Sequence, residues 1–181
     1  MDALLTLDGQ ILIWIQEHVR NPVLTAFFTR FTRLGDHGLF WIAVCLLLLA
    51  FRRTRKGGLI VMFSLLGSLI VNNILLKNLV ARTRPYEVIE SLQLLIAPQW
   101  DYSFPSGHAG SAFAAAMAMF LSLPKKFGIP ALIVAALISF SRLYVGVHYP
   151  SDVLMGILTG ILIAVIVWKC AHKIKRLNLQ E

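Results

Sequence analysis

The chain has 181 residues, of which 57% are hydrophobic and 14% charged, and 17 Lys and Arg against 9 Asp and Glu give a formal net charge of +8. Soluble domains are usually about 45–50% apolar and about 25% charged, so this composition excludes an ordinary soluble domain and an intrinsically disordered chain. It is typical of an integral membrane protein whose length suits one compact helical domain. We therefore predict an all-α, polytopic membrane helical bundle in which residues 1–181 form a single membrane domain.

Residues 1–36 precede the long apolar runs and differ from them in composition. Apolar residues recur at helical spacing through residues 4–19, and Asn21-Pro22 then interrupts the pattern. Phenylalanines and arginines mix through residues 23–34. This pattern predicts a pair of helices lying in the membrane interface. The alternative is a sixth span assembled from residues 4–33, which would bury charges.

Four apolar runs have close to the roughly 20 residues that a membrane-spanning helix needs. A fifth run, residues 38–51, is shorter. It approaches spanning length if the helix starts at Asp36 and the side chains of Arg52 and Arg53 extend into the interface. We thus predict five spanning helices, and the other four cover residues 57–80, 106–123, 127–145 and 152–170.

Lys and Arg are concentrated in three segments that alternate along the predicted helices. Residues 52–56, 125–126 and 169–176 together hold ten of the 17 basic residues. Cytoplasmic loops of membrane proteins carry an excess of Lys and Arg, so we predict that these segments and the C-terminus are cytoplasmic. The positive charge then indicates orientation and contact with anionic membrane lipids, and we expect no nucleic-acid partner.

The unusual polar residues fall in three groups on the opposite, outer side of the membrane. The first group contains Lys77 and Arg84, with Pro85 directly after them. If the helix continues to Pro85, the two cations are two turns apart and share one helix face. Taken alone, this pair is most simply explained as cations that extend from a helix end into the interface.

The second group, residues 104–111, opens an apolar helix. Pro105 and Ser106 are helix-start residues, and the first free N–H groups of a helix form a site for an anion. Gly107 lets an anion approach the backbone closely, and the Ser106 hydroxyl adds a donor. A plain helix cap beside an incidental interfacial histidine, His108, explains the same pattern equally well.

The third group lies where one apolar helix ends and the last begins. Arg142 is still within the apolar run, where a charge is costly and usually functional. His148 precedes Asp152 by four residues, so the carboxylate can orient the imidazole and leave its other nitrogen free to attack. The alternative, a buried ion pair with an interfacial histidine, still has to explain the intramembrane arginine.

Together the groups supply cations, a helix N-terminus, two histidines and one orienting carboxylate on one membrane face. This inventory suits phosphoryl transfer, in which cations and backbone donors hold the phosphate oxygens while a histidine attacks in line. The sequence contains no Cys/His ligand cluster or carboxylate-rich cage, so we predict neither a metal nor another cofactor.

The three groups resemble, in order, the motifs of the type 2 phosphatidic acid phosphatase (PAP2) superfamily. They match that pattern without substitution over roughly residues 57–170, which we take as the catalytic core. The matching stretches are Lys77-x6-Arg84-Pro85, Pro105-Ser106-Gly107-His108 and Ser141-Arg142-x5-His148-x3-Asp152.

The resemblance implies a role for each residue. His148 would be the nucleophile that forms a phosphohistidine, Asp152 would orient it, and His108 would be the general acid that protonates the leaving oxygen. The chemistry would need no metal. The implied phosphate-binding groups are Lys77, Arg84, Ser106, the Gly107 amide and Arg142.

The leading hypothesis is a bacterial membrane phosphatase acting on undecaprenyl pyrophosphate, phosphatidylglycerophosphate or phosphatidic acid at the extracytoplasmic face of the plasma membrane. A non-hydrolysing transporter of phospholipid or polyprenyl phosphate is the alternative, and it has no need of the His148–Asp152 pair. A structural subunit that binds lipid through its basic loops would leave the outer cations unexplained. Residues 88–97 are further predicted to form a short amphipathic helix lying over the site.

Overall fold

The computed structural model describes residues 2–177, with the side chains of residues 5–173. This part of the chain folds into helices without β-strands, which confirms the predicted all-α class. A 3-10 segment, Thr32–Gly38, joins α2 to α3, and a π-helical segment, Leu69–Leu76, joins α4 to α5. The α-helices are α1 Asp2–His18, α2 Pro22–Phe31, α3 Leu39–Ala50, α4 Arg55–Ser68, α5 Lys77–Val80, α6 Pro85–Val88, α7 Gly107–Ser122, α8 Lys125–Tyr144 and α9 Pro150–Leu177.

Helix α7 lies at the centre of the bundle, packed against α4, α8 and α9. Its alanines are buried, and the small side chains let neighbouring helices approach closely, as is common in membrane bundles. The contact with α9 is made by backbone: a Cβ added to Gly160 would overlap the Gly110 carbonyl oxygen. The start of α7 and the start of α9 are therefore held at a fixed separation.

Within the described residues, four segments are long and apolar enough to cross a membrane: Pro22–Ala50, Arg55–Val88, Lys125–Tyr144 and Pro150–Lys173. The first of them is interrupted, because His37 and Gly38 adopt left-handed φ values of 51° and 68°. Helix α7 has 16 residues and is shorter than a typical span. The polytopic bundle is as predicted, while the count of five spans and the interfacial position of α1 and α2 stay predictions.

The basic loops and the three polar groups lie at opposite ends of the bundle. Helices α4 and α8 begin at Arg55 and Lys125 and run toward the polar groups, and a Cβ on Gly57 would contact Leu123. The loops before these two helices are therefore neighbours. Lys175 and Arg176, which contribute to the predicted basic C-terminal segment, lie outside the described side chains.

The helix that carries Lys77 ends at Val80, so the prediction that it continues to Pro85 is wrong. Ala81 turns left-handed with φ 47°, and its N–H donates to the Lys77 carbonyl over 3.1 Å. Arg84 is extended because a residue before proline disfavours the helical region, and Pro85 then starts α6. Lys77 and Arg84 consequently do not share a helix face.

The predicted amphipathic helix over residues 88–97 is also wrong, since α6 ends at Val88 and the connection to α7 is irregular. Apart from a turn in which the Leu92 amide donates to the Ile89 carbonyl over 3.0 Å, several of its backbone groups pair with neighbouring elements. The amide of Gln93 donates to the Gln16 side chain over 2.8 Å, and its carbonyl accepts from Arg20 over 2.8 Å. Gln16 of α1 and Arg20, just after α1, thus anchor this connection. These contacts join residues far apart in sequence, so the local pattern could not indicate them.

Candidate active site

A cavity of about 730 Å³ has its polar part at the end of the bundle opposite the basic loops and extends from there along α3 and α4. It brings together six of the eight residues that the sequence singled out. The other two, Ser106 and Asp152, are fully buried, with 0% exposure each. The six residues that line the cavity are Lys77, Arg84, Gly107, His108, Arg142 and His148.

His148 stands between a carboxylate and a guanidinium. Its Nδ1 lies 3.6 Å from Asp152 Oδ2, and its Nε2 lies 3.5 Å from Arg84 Nη1. Burial lowers the pKa of His148 to about 3; Asp152 opposes this shift, and Arg84 and Arg142 add to it. The imidazole is therefore neutral at physiological pH, with Nε2 on the side of the cations.

Asp152 is held by three donors that the sequence did not single out. Its Oδ1 accepts from Arg82 Nη1 over 2.6 Å. Its Oδ2 accepts from the Ser103 hydroxyl over 2.5 Å and from the Tyr149 amide over 2.9 Å. The carboxylate is thus fixed at the edge of the His148 ring by Arg82 and the Tyr149 amide, which occupy unspecified positions of the motifs, and by Ser103, which lies outside them.

His108 has a carboxylate partner of its own, Asp36, which the sequence did not indicate as a site residue. Asp36 Oδ1 lies 3.0 Å from His108 Nε2. Gly35 permits this approach, because a Cβ there would overlap the His108 ring. The only signal in the sequence was a carboxylate between two glycines at the entry to an apolar run.

Lys77 and Arg84 converge through Asp101 and not through a shared helix face. Lys77 Nζ lies 2.5 Å from Asp101 Oδ2, and Arg84 Nη2 lies 2.5 Å from Oδ1. Partial burial acts to raise the pKa of Asp101, but the two cations outweigh it and the pKa falls to about 2. Without a ligand, a carboxylate of the protein thus occupies both cations.

Arg142 is buried to 1% exposure, and its guanidinium is only partly paired. Nη1 donates to the Thr32 hydroxyl over 2.8 Å, and Nη2 lies 3.4 Å from the Gln99 side-chain oxygen. Nε has no hydrogen-bond partner in the described structure. Because Arg142 also lies on the cavity wall, this buried and only partly paired cation is suited to receiving an anion.

The N-terminus of α7 forms another wall of the cavity. Ser106 is the N-cap, as predicted, and its Oγ accepts from the Ala109 amide over 3.4 Å. Its own amide donates to the Asp152 carbonyl over 3.0 Å, which ties α7 to α9. At Gly107 a side chain would overlap Asn73, a residue of the π-helical segment that also lines the cavity.

A family model described as the PAP2 superfamily matches residues 57–176. The chain belongs to the PAP2 superfamily. An undecaprenyl-diphosphatase from Sulfolobus acidocaldarius is 41% identical to this PAP2 chain over 120 residues. That match covers 66% of the chain and 58% of the relative, which is less than two thirds of the relative's length.

Two crystal structures share the fold of this PAP2 chain. The PAP2 type phosphatidylglycerolphosphate phosphatase from Bacillus subtilis matches with a TM-score of 0.79 and 28% identity, over 97% of this chain and 90% of that one. LpxE from Aquifex aeolicus matches with a TM-score of 0.77 and 30% identity, over 88% and 93% of the two chains. With four candidate spans, this PAP2 chain is a multi-pass membrane protein.

The PAP2 motif residues form a centre of positive charge beside two imidazoles. Lys77, Arg84 and Arg142 lie on the wall of one cavity with His108 and His148. Such a centre can bind a tetrahedral anion, offer a neutral imidazole nitrogen to its phosphorus and hold a second imidazole near a leaving oxygen. The arrangement is therefore suited to phosphoryl transfer.

Proposed function

We propose that this PAP2 protein is a membrane lipid phosphatase that works through a phosphohistidine on His148. The observation that carries the proposal is the position of His148, buried on the cavity wall with Nε2 3.5 Å from Arg84. A neutral imidazole beside a cation is suited to attack a phosphorus whose oxygens that cation holds.

The reaction has two steps. In the first, His148 Nε2 attacks phosphorus, an N–P bond forms, and the bond from phosphorus to the lipid-side oxygen breaks. His108 gives its proton to that leaving oxygen, and Asp152 stabilises the positively charged His148 ring. In the second, a water oxygen attacks phosphorus, His108 takes the water proton, and the N–P bond breaks to release inorganic phosphate.

Phosphate binding changes the partners of the cations. Lys77 and Arg84 exchange the Asp101 carboxylate for two phosphate oxygens, and the Arg142 guanidinium on the same wall supplies a further donor. The Gly107 amide and the Ser106 hydroxyl complete the set at the positive end of α7. These donors stabilise the charge that develops on the oxygens during transfer.

The rest of the cavity favours a substrate with an apolar chain. From the cations the cavity continues between α3 and α4, where its wall is aliphatic. The printed names of relatives, an undecaprenyl-diphosphatase and a phosphatidylglycerolphosphate phosphatase, support a polyprenyl or glycerophospholipid phosphate. The aliphatic wall includes Ile42, Leu46, Leu49, Leu65 and Leu66.

The charge distribution supports an outward-facing site. The loops at residues 52–56 and 125–126 lie at the bundle end opposite the polar part of the cavity. Because basic loops are retained on the cytoplasmic side, the cavity faces the extracytoplasmic side and the C-terminus faces the cytoplasm. The substrate then enters from the outer leaflet of the plasma membrane.

The test is phosphate release by the purified full chain in detergent with EDTA present. The panel comprises undecaprenyl pyrophosphate, phosphatidylglycerophosphate and phosphatidic acid, with glycerol 3-phosphate as the matched substrate that lacks an apolar chain. We expect release from at least one lipid and far less from glycerol 3-phosphate. Tight binding of a lipid without any release would instead identify a non-hydrolysing binding or transport protein. Loss of activity with EDTA would contradict the metal-independent reaction.

A further inference from the structure

A buried carboxylate of the N-terminal helix is linked to the catalytic pair. Asp8 in α1 is 2% exposed, although it lies far from the three motifs in sequence. Its Oδ2 accepts from Arg82 Nη2 over 2.8 Å, and its Oδ1 accepts from the Ser151 amide over 3.0 Å. The Ser151 hydroxyl also donates to Asp8 Oδ2. Asp8 therefore binds Arg82 and the first turn of α9 together.

Arg82 connects Asp8 to Asp152. Its Nη1 donates to Asp152 Oδ1 over 2.6 Å and to the Ser151 hydroxyl over 2.7 Å. Its guanidinium carbon lies 3.9 Å from the centre of the Tyr149 ring, and its side chain is only 16% exposed. A planar guanidinium held by two carboxylates and stacked on a ring has one orientation.

Arg82 is the closest cation to Asp152, and this contact is shorter than the one to His148. Asp152 Oδ1 lies 2.6 Å from Arg82 Nη1, whereas Asp152 Oδ2 lies 3.6 Å from His148 Nδ1. A fully buried carboxylate must be compensated by charge and hydrogen bonds. Arg82 supplies the charge, so it determines how much of the negative charge of Asp152 acts on His148.

We propose that Arg82 is a positioning residue that fixes Asp152 against His148 and tunes the basicity of that nucleophile, with Asp8 as the anchor of Arg82. This inference rests on the proposed function, because it assigns His148 as the nucleophile. It makes α1 part of the catalytic apparatus instead of a membrane-interface helix alone.

Other charges also face the pair and must stay in place during a test. Arg84 and Arg142 act on His148, and Tyr149 and Ser103 contact Asp152. Across the cavity lie Lys77, Asp101, His108 and Asp36. Arg82 and Asp8 are not on the cavity wall, so changing them leaves every proposed phosphate contact intact.

The test is the pH dependence of kcat and kcat/KM for Arg82→Met and Arg82→Lys in the purified full chain. Removing the cation leaves Asp152 uncompensated, which raises the pKa of His148. We expect kcat to fall about 10–100-fold with KM nearly unchanged. The acid limb of the profile, where His148 gains a proton, should move up by about one pH unit. Arg82→Lys keeps the positive charge, so the acid limb of its pH profile should lie close to that of the wild type.

Two further variants separate positioning from damage to the fold. Asp8→Asn keeps the shape of the side chain but releases Arg82, so kcat should fall about 3–10-fold. When Arg82→Met is already present, adding Asp8→Asn should lower kcat much less, because the two residues act through one contact. Arg30→Met, an exposed arginine on α2, is the matched control and should behave as wild type.

The outcomes are distinct. If the wild-type enzyme is active and Arg82→Met keeps the wild-type acid limb of the pH profile, this inference alone is overturned. The same holds if Arg82→Met changes KM but not kcat. If Arg82→Met does not fold, Asp8→Asn decides, and a wild-type kcat for it overturns the inference. No phosphate release by the wild-type protein overturns the proposed function first.

Discussion

The cavity contains two histidine–carboxylate pairs that differ in burial and in origin. His148 and Asp152 are four residues apart, and their side chains are 2% and 0% exposed. His108 and Asp36 are 72 residues apart, and their side chains are 16% and 47% exposed. A buried, neutral imidazole suits a nucleophile, whereas a pair that reaches solvent can exchange a proton in every turnover. The two environments therefore support a division of roles between two identical side chains.

The largest effect should come from the buried histidine. His148→Ala removes the atom that forms the N–P bond, so we expect phosphate release to fall by at least about 10⁴-fold. Quenching in alkaline SDS during turnover, which preserves the acid-labile N–P bond, should recover phosphorylated wild-type protein and none from His148→Ala. His18→Ala, an exposed histidine on α1, is the matched control and should keep full activity. Full activity of His148→Ala would contradict the nucleophile assignment.

The second effect separates the roles of the two histidines. His108→Ala should lower the rate about 10²–10⁴-fold, because the leaving oxygen no longer receives a proton. With p-nitrophenyl phosphate, whose leaving group needs little protonation, the loss in the first step should be much smaller, and phosphorylated protein should accumulate. An equal loss with both substrates would contradict the general-acid role.

A smaller effect should follow from changing the exposed carboxylate. Asp36→Asn keeps the shape of the side chain but removes the charge beside His108 Nε2, so we expect about a 10-fold loss of kcat. The loss should again shrink with p-nitrophenyl phosphate. The matched comparison is Glu87→Gln, which changes an exposed carboxylate outside the cavity. If Asp36→Asn keeps the wild-type kcat, Asp36 does not assist His108, and the two histidine–carboxylate pairs differ only in burial.

These predictions also mark what the sequence could and could not indicate. The helical class, the start of α7 at Ser106 and the proximity of His148 to Asp152 follow from composition, capping and local spacing. Asp36 could not be found in this way, because its contact with His108 spans 72 residues. Local patterns report neighbours along a helix, and tertiary packing decides the rest.

The first motif shows the same limit within a short distance. The spacing of Lys77 and Arg84 predicted a shared helix face, which is wrong, although both residues line one cavity. The chain leaves the helix at Ala81, and Asp101, from the connection before α7, brings the two cations together. The extended conformation of Arg84 before Pro85 can be predicted from the sequence, but the contact of Arg84 with Asp101 cannot.

The smallest effect concerns Asp101, which occupies the cations before phosphate arrives. Asp101→Asn should lower the inhibition constant of inorganic phosphate about 3–5-fold, because a competing charge is removed. The pKa of Asp101 is about 2, so the carboxylate is charged above that pH, and the difference should persist across pH 5–8. It would disappear only as the pH falls toward 2.

Inhibition by added phosphate during lipid hydrolysis measures this effect, and Glu90→Gln, an exposed carboxylate in the same connection, is the control. Weaker inhibition in Asp101→Asn would instead mean that Asp101 aligns Lys77 and Arg84 for their ligand.

The backbone contact between α7 and α9 has a consequence for redesign. Gly156 and Gly160 let α9 pack directly on the backbone of α7. Main-chain contacts therefore set the relative positions of the start of α7, which carries His108, and the start of α9, which carries Asp152. The aliphatic wall between α3 and α4, in contrast, is formed by side chains. Substrate choice can therefore be altered by exchanging side chains along α3 and α4, while an added methyl group at Gly160 would misalign the chemistry for every substrate at once.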